Sequence, residues 1–291
     1  MSLQAGILDL NAQGRGLLLK RRRVKVAIKK GYKRLLRVPG RLLRGTGCRV
    51  LTYHNIGSRD HDMNVAPADF ELQMRWLAQN ACVLPLAEAV ERGGGVALTF
   101  DDGYRDNLTN AAPVLRSLNL PATFFVIAGP ADGRPMPDDH ETGGLMTWHE
   151  IRQLESMGFE IGGHTMNHAH LAALSEDEQR REILGCAQLL EHHLEHPANT
   201  FAYPFGSAGD YDDTSIRLAC EAGFRYAFSN QYGLNHAGAA PWCLRRIWVD
   251  GTDSLESFKA KVDGRLDLLH VLESGPGIRA RRLLNTVLRI A

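Results

Sequence analysis

The sequence predicts an α/β protein built as a distorted or incomplete (β/α) barrel. Seven short apolar runs typical of strands alternate with helical patterns, and strands separated by helices pair in parallel. An open doubly wound sheet is the alternative. It would place a glycine-rich phosphate loop after the first strand, and the sequence has none there. About seven strand and helix units therefore favour the barrel.

The elements follow one another in the order that such a barrel requires. The predicted strands are Arg49–His54, Val96–Asp101, Ala122–Ala128, Phe159–Gly163, Thr200–Tyr203, Tyr226–Ser229 and Arg246–Val249. The predicted helices are Pro67–Asn80, Asn107–Leu118, Trp148–Met157, Ser175–His196 and Thr214–Ala222. The longest begins with a capping box, Ser175-x-x-Glu178. The segment Gly129–Gly144 is rich in Pro, Gly and Asp, which predicts a surface loop.

Charge is distributed unevenly along the 291 residues, although the formal net charge is only +1. Residues 1–49 hold 14 Lys and Arg and one acidic residue, and residues 277–291 hold four Arg and no acidic residue. The middle, residues 50–276, holds 16 basic and 32 acidic residues. This asymmetry predicts a basic N-terminal extension (1–48), a central acidic domain (49–265) and a basic C-terminal tail (266–291).

The N-terminal extension has the pattern of a basic amphipathic helix. Its apolar residues at one helical face are Leu17, Val24, Ile28, Leu35, Val38 and Leu42, and Lys and Arg fill the remainder. Residues 15–44 are therefore predicted to bind an anionic membrane surface, with packing on the acidic domain as the alternative. Residues 281–289 predict a smaller helix of the same kind. Specific nucleic-acid binding is not predicted, because Tyr32 is the only aromatic residue among these basic residues.

The location predicted from the sequence is the cytoplasm, peripheral at the inner membrane face. The apolar stretch Leu17–Leu19 precedes the basic cluster and no apolar core follows it, which is unlike a secretory signal peptide. No apolar run approaches the roughly 18 residues of a membrane-spanning helix. Five scattered cysteines without a CxxC pair favour a reducing compartment.

Four polar motifs stand at the ends of predicted strands. They are Thr99–Tyr104 with adjacent Asp101 and Asp102, His164–His168 with two histidines four residues apart, the aromatic turn Phe201–Gly206, and Val50–Asn55 with His54. Each motif alone has an ordinary explanation, such as a solvated strand end, a chance histidine pair or a structural histidine. The histidines are expected to converge if the chain turns helically between them.

Taken together, the four motifs indicate a catalytic site, because the carboxyl ends of parallel strands meet at one face of a barrel. Asp102, His164 and His168 form a His₂Asp set, the ligand count of a catalytic metal with an open position. Asp101 is then available as a base and His54 as an acid. Such a set suits hydrolysis of an amide or an ester.

These motifs, in this order and spacing, resemble the polysaccharide deacetylase family, which is carbohydrate esterase family four with its NodB-type homology domain. The resemblance covers about residues 49–260. It implies a distorted (β/α) barrel and metal-dependent removal of N-acetyl groups from amino sugars of a polysaccharide or lipid-linked glycan. It also implies that Asp101 is the general base and that Asp102, His164 and His168 hold a divalent ion, usually zinc.

Two positions depart from the family pattern. Ala202 stands where the third motif usually has the arginine that orients the catalytic aspartate, and Arg245 and Arg246 are candidate replacements. The C-terminal histidine motif is poorly matched by Leu268-Leu269-His270. The strand ending in His54 instead resembles the biofilm poly-N-acetylglucosamine deacetylases, which carry this strand at the front. The resemblance therefore implies His54 as the general acid.

The turn that forms the third motif is predicted to face the substrate. Tyr203, Pro204, Phe205 and Gly206, with Arg246, are predicted to contact substrate or the oxyanion that forms during hydrolysis. Two other functions stay open at this point. One is a deformylase of a lipid-linked formamido sugar, and the other is a glycan-binding pseudoenzyme with no bound metal.

Overall fold

The computed structural model describes residues 46–58, 61–133 and 144–267. Predictions that concern residues 1–45, 134–143 and 268–291 lie outside these ranges. They include the helix at 15–44, the C-terminal helix at 281–289, most of the predicted loop Gly129–Gly144 and the Leu268-Leu269-His270 motif. Within the described residues, no helix is long and apolar enough to cross a membrane.

All seven predicted strands form, each within a few residues of its predicted bounds. They are β1 (Arg49–Tyr53), β4 (Val96–Phe100), β5 (Thr123–Val126), β6 (Glu160–Gly163), β7 (Thr200–Ala202), β8 (Tyr226–Phe228) and β9 (Ile247–Trp248). Two further short strands, β2 (Asn55–Ile56) and β3 (Asn64–Val65), pair with each other after β1.

The five predicted helices also form. They are α1 (Pro67–Asn80), α3 (Ala112–Ser117), α5 (Trp148–Ser156), α6 (Glu176–Leu194) and α7 (Asp213–Glu221). A π-helical turn, Asn107–Ala111, precedes α3, and the capping box of α6 is present at Ser175. Three helices were not predicted: α2 (Leu86–Arg92), the short α4 (Ala128–Ala131) and α8 (Leu255–Val262). The α4 helix replaces the start of the predicted loop at Gly129.

The seven strands form one parallel sheet in the order β8-β7-β6-β5-β4-β1-β9. Its two edge strands approach each other through the segment before β9, because Phe228 forms an isolated parallel bridge with Leu244. The segment then continues into β9, which pairs with β1. The predicted distorted, incomplete (β/α) barrel is confirmed: the sheet curls almost into a ring, and one side is completed by a single bridge rather than by a full strand.

Strand alternation divides the core into two layers. The outer layer packs strand residues such as Leu51, Phe100 and Phe124 against the surrounding helices. The inner layer holds the residues between them, including Val50, Ala97 and Phe125. Helix α2 contributes its Leu86, Ala89 and Val90 to the inner layer and closes the amino end of the barrel. The carboxyl end is left to polar side chains.

Candidate active site

The inner faces of two neighbouring strands, β1 and β4, carry polar residues to the carboxyl end of the barrel. On β1 the inner row ends in Thr52 and His54, and on β4 it ends in Thr99 and Asp101. The two threonine hydroxyls lie 3.0 Å apart below the site. His54 and Asp101 are 8% and 0% exposed. The same alternation that builds the core therefore places a buried imidazole and a buried carboxylate side by side.

Asp102 reaches the site because the backbone bends directly after β4. Its φ is 71°, in the left-handed region, and Gly103 continues the turn at φ 76°. The Oδ1 of Asp102 lies 3.3 Å from Nε2 of His164 and 3.4 Å from Nε2 of His168. Each of the three residues offers one possible ligand atom, and these three atoms lie within 4.8 Å of one another. All three residues are buried.

The two histidines converge through a non-helical loop, without the helical turn that their spacing allows. Thr165 (φ 64°) and His168 (φ 58°) both adopt left-handed backbone, and the hydroxyl of Thr165 accepts a hydrogen bond from the His168 N–H. Glu182 of α6 holds the loop from outside: its carboxylate accepts from the backbone N–H and the side-chain amide of Asn167. Because HxxxH also occurs on helices, its spacing alone did not reveal this conformation.

The three residues fit a divalent ion. Nδ1 of His164 lies 2.7 Å from the carbonyl oxygen of Ala202, which fixes Nδ1 as the protonated nitrogen and leaves Nε2 as the donor to a metal. Both carboxylate oxygens of Asp102 are buried without a hydrogen-bond partner among the described residues. Two imidazoles and one carboxylate with such unsatisfied oxygens are a donor set that catalytic divalent-metal sites use.

Arg246 forms a two-point ion pair with Asp101. Its Nη1 and Nη2 lie 2.6 and 2.8 Å from the two carboxylate oxygens, and its Nε donates to the carbonyl oxygen of Ser229. Burial opposes ionisation of Asp101, but Arg246 and the imidazoles of His164 and His54 outweigh it, so the pKa of Asp101 lies below its ordinary value. Asp101 is thus held ionised and in one orientation.

The sequence left both Arg245 and Arg246 as candidates for the arginine that orients the catalytic aspartate, and the structure distinguishes them. Arg245 is exposed and its guanidinium donates to the carbonyl oxygen of Tyr232, whereas Arg246 is 1% exposed and points into the barrel. Strand parity is the reason: Ile247 belongs to the outer layer, so Arg246 and Trp248 lie on the inner face. The parity of Ile247 and Val249 was the sequence signal that could have chosen Arg246.

His54 lies at the mouth of the barrel beside β9. Burial lowers its pKa below the ordinary value, although the carboxylates of Asp102 and Asp101 oppose that shift. Its Nδ1 is buried without a hydrogen-bond partner among the described residues, and its ring centroid lies 5.7 Å from that of Trp248. His54 is therefore a buried imidazole with a free nitrogen next to both carboxylates.

The Tyr203–Gly206 turn differs from its prediction at Tyr203. Because Ala202 faces inward, Tyr203 faces the outer layer, where its ring stacks on Tyr211 and its hydroxyl donates to the carbonyl oxygen of Trp242. Its backbone N–H donates to Phe228. These contacts correct the prediction that Tyr203 binds the oxyanion, because its hydroxyl and its backbone N–H already donate to protein carbonyl oxygens.

The rest of the turn lies against the histidines. Phe205 has φ 59°, and its ring centroid is 4.6 Å from His168 and 3.6 Å from His170. Gly206 has φ 70°, and a Cβ there would lie 2.5 Å from the Asn230 nitrogen, so only glycine fits. The Gly206 N–H donates to the carbonyl oxygen of Pro204, and Pro204 itself has no N–H. Phe205 is the residue of the turn whose ring lies against the candidate ligand His168.

Comparison with known proteins points to one family. A sequence model of the family described as polysaccharide deacetylase matches residues 90–227, which include Asp101, Asp102, both histidines and the Tyr203–Gly206 turn. Residues 90–227 of the chain thus resemble the polysaccharide deacetylase family. A Bacillus subtilis relative named as a polysaccharide deacetylase, YxkH, is 25% identical over 223 residues, 74% of this chain and 75% of that protein.

Two further relatives agree with the family and the fold. The poly-beta-1,6-N-acetyl-D-glucosamine N-deacetylase of Escherichia coli is 23% identical over 263 residues, covering 74% of this chain but only 38% of the E. coli protein. The Streptococcus pyogenes deacetylase PplD, solved in complex with acetate, superposes with a TM-score of 0.66 at 23% identity, covering 75% of this chain and 99% of that one. The chain therefore shares its barrel fold with a solved deacetylase.

Proposed function

We propose that this protein is a metal-dependent hydrolase that removes N-acetyl groups from a glucosamine-containing glycan. The observation that supports it most is the buried Asp102, His164 and His168 set beside the Asp101–Arg246 ion pair. The relatives named as deacetylases of poly-N-acetylglucosamine support the choice of sugar. The divalent ion, for which the donor set favours zinc, would lower the pKa of a water toward about 7 and polarise the acyl carbonyl.

The residues of the chain divide the proton transfers between them. The Asp101 carboxylate takes the proton that the attacking water loses. Until then, Arg246 donates to both of its oxygens and keeps the carboxylate ionised. His54 gives a proton to the nitrogen of the leaving amine, so that acetate and a free amine are formed. Phe205 offers its backbone N–H to the oxyanion, because the other N–H groups of its turn are engaged.

The test of this proposal separates the base from the ligands. Asp101→Asn is expected to reduce acetate release by about a hundredfold or more, the scale of a lost general base, with metal content unchanged. Acetate release and bound zinc are measured on the same preparation. If Asp101→Asn lost its metal, and regained activity when metal was added back in excess, Asp101 would be a ligand rather than the base.

A deformylase of a lipid-linked formamido sugar remains the second candidate, because the same residues would hydrolyse a formamide. A panel of acetylated and formylated amino sugars, assayed for release of acetate and of formate, distinguishes the two reactions. The pseudoenzyme alternative predicts no release from any of them. It also predicts no bound zinc, whereas the donor set of Asp102, His164 and His168 supports binding.

A cytoplasmic location at the inner membrane face is a proposal that rests on the sequence pattern of residues 15–44. Their Lys and Arg would each contribute about 1 kcal/mol near anionic lipid. Flotation of the full chain with anionic and with neutral vesicles is compared with flotation of a chain that begins near Arg49. Equal flotation of both chains would contradict the proposal. Binding by the full chain alone would favour a lipid-linked or nascent glycan as substrate.

A further inference from the structure

One large aromatic side chain at the mouth of the barrel has no role in the proton transfers. Among the described residues, the large hydrophobic side chains that remain exposed are Trp248, at 40%, and Leu72, at 52%. Leu72 lies on α1, on the outside of the barrel. Trp248 lies at the end of β9, and its ring centroid is 5.7 Å from that of His54.

Strand geometry directs Trp248 toward the site. Trp248 is paired with Thr52, whose hydroxyl contacts Thr99 on the inner face, and it follows Arg246 at a spacing of two residues. Side chains two apart on a strand share a face. Arg246 reaches Asp101 from that face, so the indole lies on the same face, one step closer to the mouth of the barrel.

The backbone of Trp248 is held in place by a buried lysine. Nζ of Lys261, on α8, donates to the carbonyl oxygen of Trp248 and pairs with the carboxylate of Asp253. The side chains of Lys261 and Asp253 are 3% and 0% exposed. On the other side, the Val249 N–H donates to the carbonyl oxygen of Thr52. The peptide group that follows Trp248 is thus held at both its carbonyl oxygen and its N–H.

We propose that Trp248 is a substrate-binding residue whose indole stacks on a pyranose ring of the glycan, beside the N-acetyl group that is removed. A pyranose ring has faces of C–H groups, and an aromatic ring accepts such a face while leaving the hydroxyl groups in water. The exposed indole lies beside the imidazole of His54, on the strand face from which Arg246 pairs with Asp101. It therefore suits a sugar ring better than an apolar protein or lipid surface.

This inference rests on the proposed function, because the glycan must enter the mouth of the barrel for Trp248 to meet it. It adds a requirement for substrate: the acyl group must be attached to a ring that can lie against the indole. The contact acts on binding, whereas Asp101 and His54 act on proton transfer. Substitution of Trp248 is therefore expected to change KM and leave kcat nearly unchanged.

The experiment uses the zinc-loaded full chain and three variants: Trp248→Ala, Trp248→Phe and, as a matched control for loss of an exposed apolar side chain, Leu72→Ala. Acetate release from an N-acetylglucosamine oligosaccharide gives kcat and KM. Calorimetric titration with the corresponding glucosamine oligosaccharide gives affinity for the product without requiring turnover. Trp248→Ala should raise KM and weaken product binding by about threefold to tenfold, the range of one aromatic contact. Trp248→Phe should recover most of both.

The kinetic and binding results decide whether Trp248 binds the sugar. Equal product affinity in the unaltered chain and Trp248→Ala would overturn the proposal. So would a fall in kcat with KM unchanged, because Trp248 would then position His54 rather than bind sugar. If the unaltered chain binds the oligosaccharide through Trp248 but releases no acetate, the stacking contact is supported and the proposed deacetylation fails.

Discussion

The two ends of the barrel use the same strands for opposite purposes. Four non-glycine residues at the carboxyl end have left-handed backbone: Asp102, Thr165, His168 and Phe205. The two others in the described residues, Asn119 and Glu195, follow helices α3 and α6, where a left-handed residue is an ordinary way to end a helix. Strain that is not explained by a helix end is therefore concentrated around the candidate metal ligands.

Buried polar groups differ between the two ends in the same way. At the amino end, the carboxylate of Glu160 accepts hydrogen bonds from the hydroxyls of Thr123 and Thr200, and Arg49 pairs with Asp267. At the carboxyl end, both oxygens of Asp102 and Nδ1 of His54 are buried without a hydrogen-bond partner among the described residues. Glu160 and Arg49 are thus paired within the protein, whereas Asp102 and His54 present polar atoms that a ligand can satisfy.

The largest expected effect is the loss of a metal ligand at the carboxyl end. Asp102→Asn keeps the size of the side chain and tolerates left-handed backbone, but it removes the anionic ligand. Acetate release should fall by about a thousandfold, which corresponds to several kcal/mol of lost transition-state stabilisation. The rise in melting temperature on adding zinc should disappear as well. An unchanged zinc-dependent rise would show that Asp102 holds no metal.

Arg246 at the carboxyl end and Arg49 at the amino end are both buried, so the effect of an arginine-to-lysine substitution can be compared between the two ends of the barrel. Arg246→Lys should lower kcat by about a hundredfold at unchanged zinc affinity, because a lysine cannot engage both oxygens of Asp101. Arg49→Lys, the matched control, should leave kcat unchanged and alter only the melting temperature. A similar kcat in both variants would mean that the Asp101–Arg246 pair is structural.

The half-buried carboxyl of Glu160, at the amino end, should make stability depend on pH. Burial raises the pKa of Glu160, against the hydrogen bonds from Thr123 and Thr200. The folded chain then holds the proton more tightly than the unfolded chain. The resulting stabilisation is complete below the ordinary pKa of 4.5 and is lost as pH rises through the folded value.

Glu160→Gln should remove that dependence. The variant should be more stable than the unaltered chain at pH 7, and the difference should shrink toward pH 4. Thermal unfolding of both chains across this range measures it, and kcat should not change because Glu160 lies at the opposite end from the site. A difference that is constant with pH would show that Glu160 does not titrate as its burial predicts.

The smallest expected effect is at the end of a helix. Glu195 has φ 64° after α6, where glycine adopts the same backbone without a Cβ clash. Glu195→Gly should therefore raise the free energy of unfolding by about 0.5 kcal/mol, after the added flexibility of the unfolded chain is subtracted. Denaturant titration measures it. Destabilisation instead would show that the Glu195 side chain contributes more than its backbone loses.

The sequence by itself determined the strands, the outer helices and the ligand set. Apolar runs of four to seven residues and helical periodicity are local patterns, so β1 and β4–β9 could be located without knowing what they pack against. Asp101, Asp102, His164 and His168 were located because each follows a predicted strand, and parallel strands bring their carboxyl ends together. Helix α2 was missed because it is seven residues long and its burial inside the barrel is a tertiary property.

Only the tertiary structure decided which neighbouring residue faces inward and which contacts it makes. Arg246 lies 145 positions from Asp101 in sequence, and only barrel curvature brings β9 beside β1 and β4. Tyr203 faces outward and Trp248 inward because side chains alternate on a strand, so an error of one residue in parity exchanges the two faces. The loop that joins His164 to His168 depends on Glu182 of α6, a contact between distant segments that the HxxxH spacing does not encode.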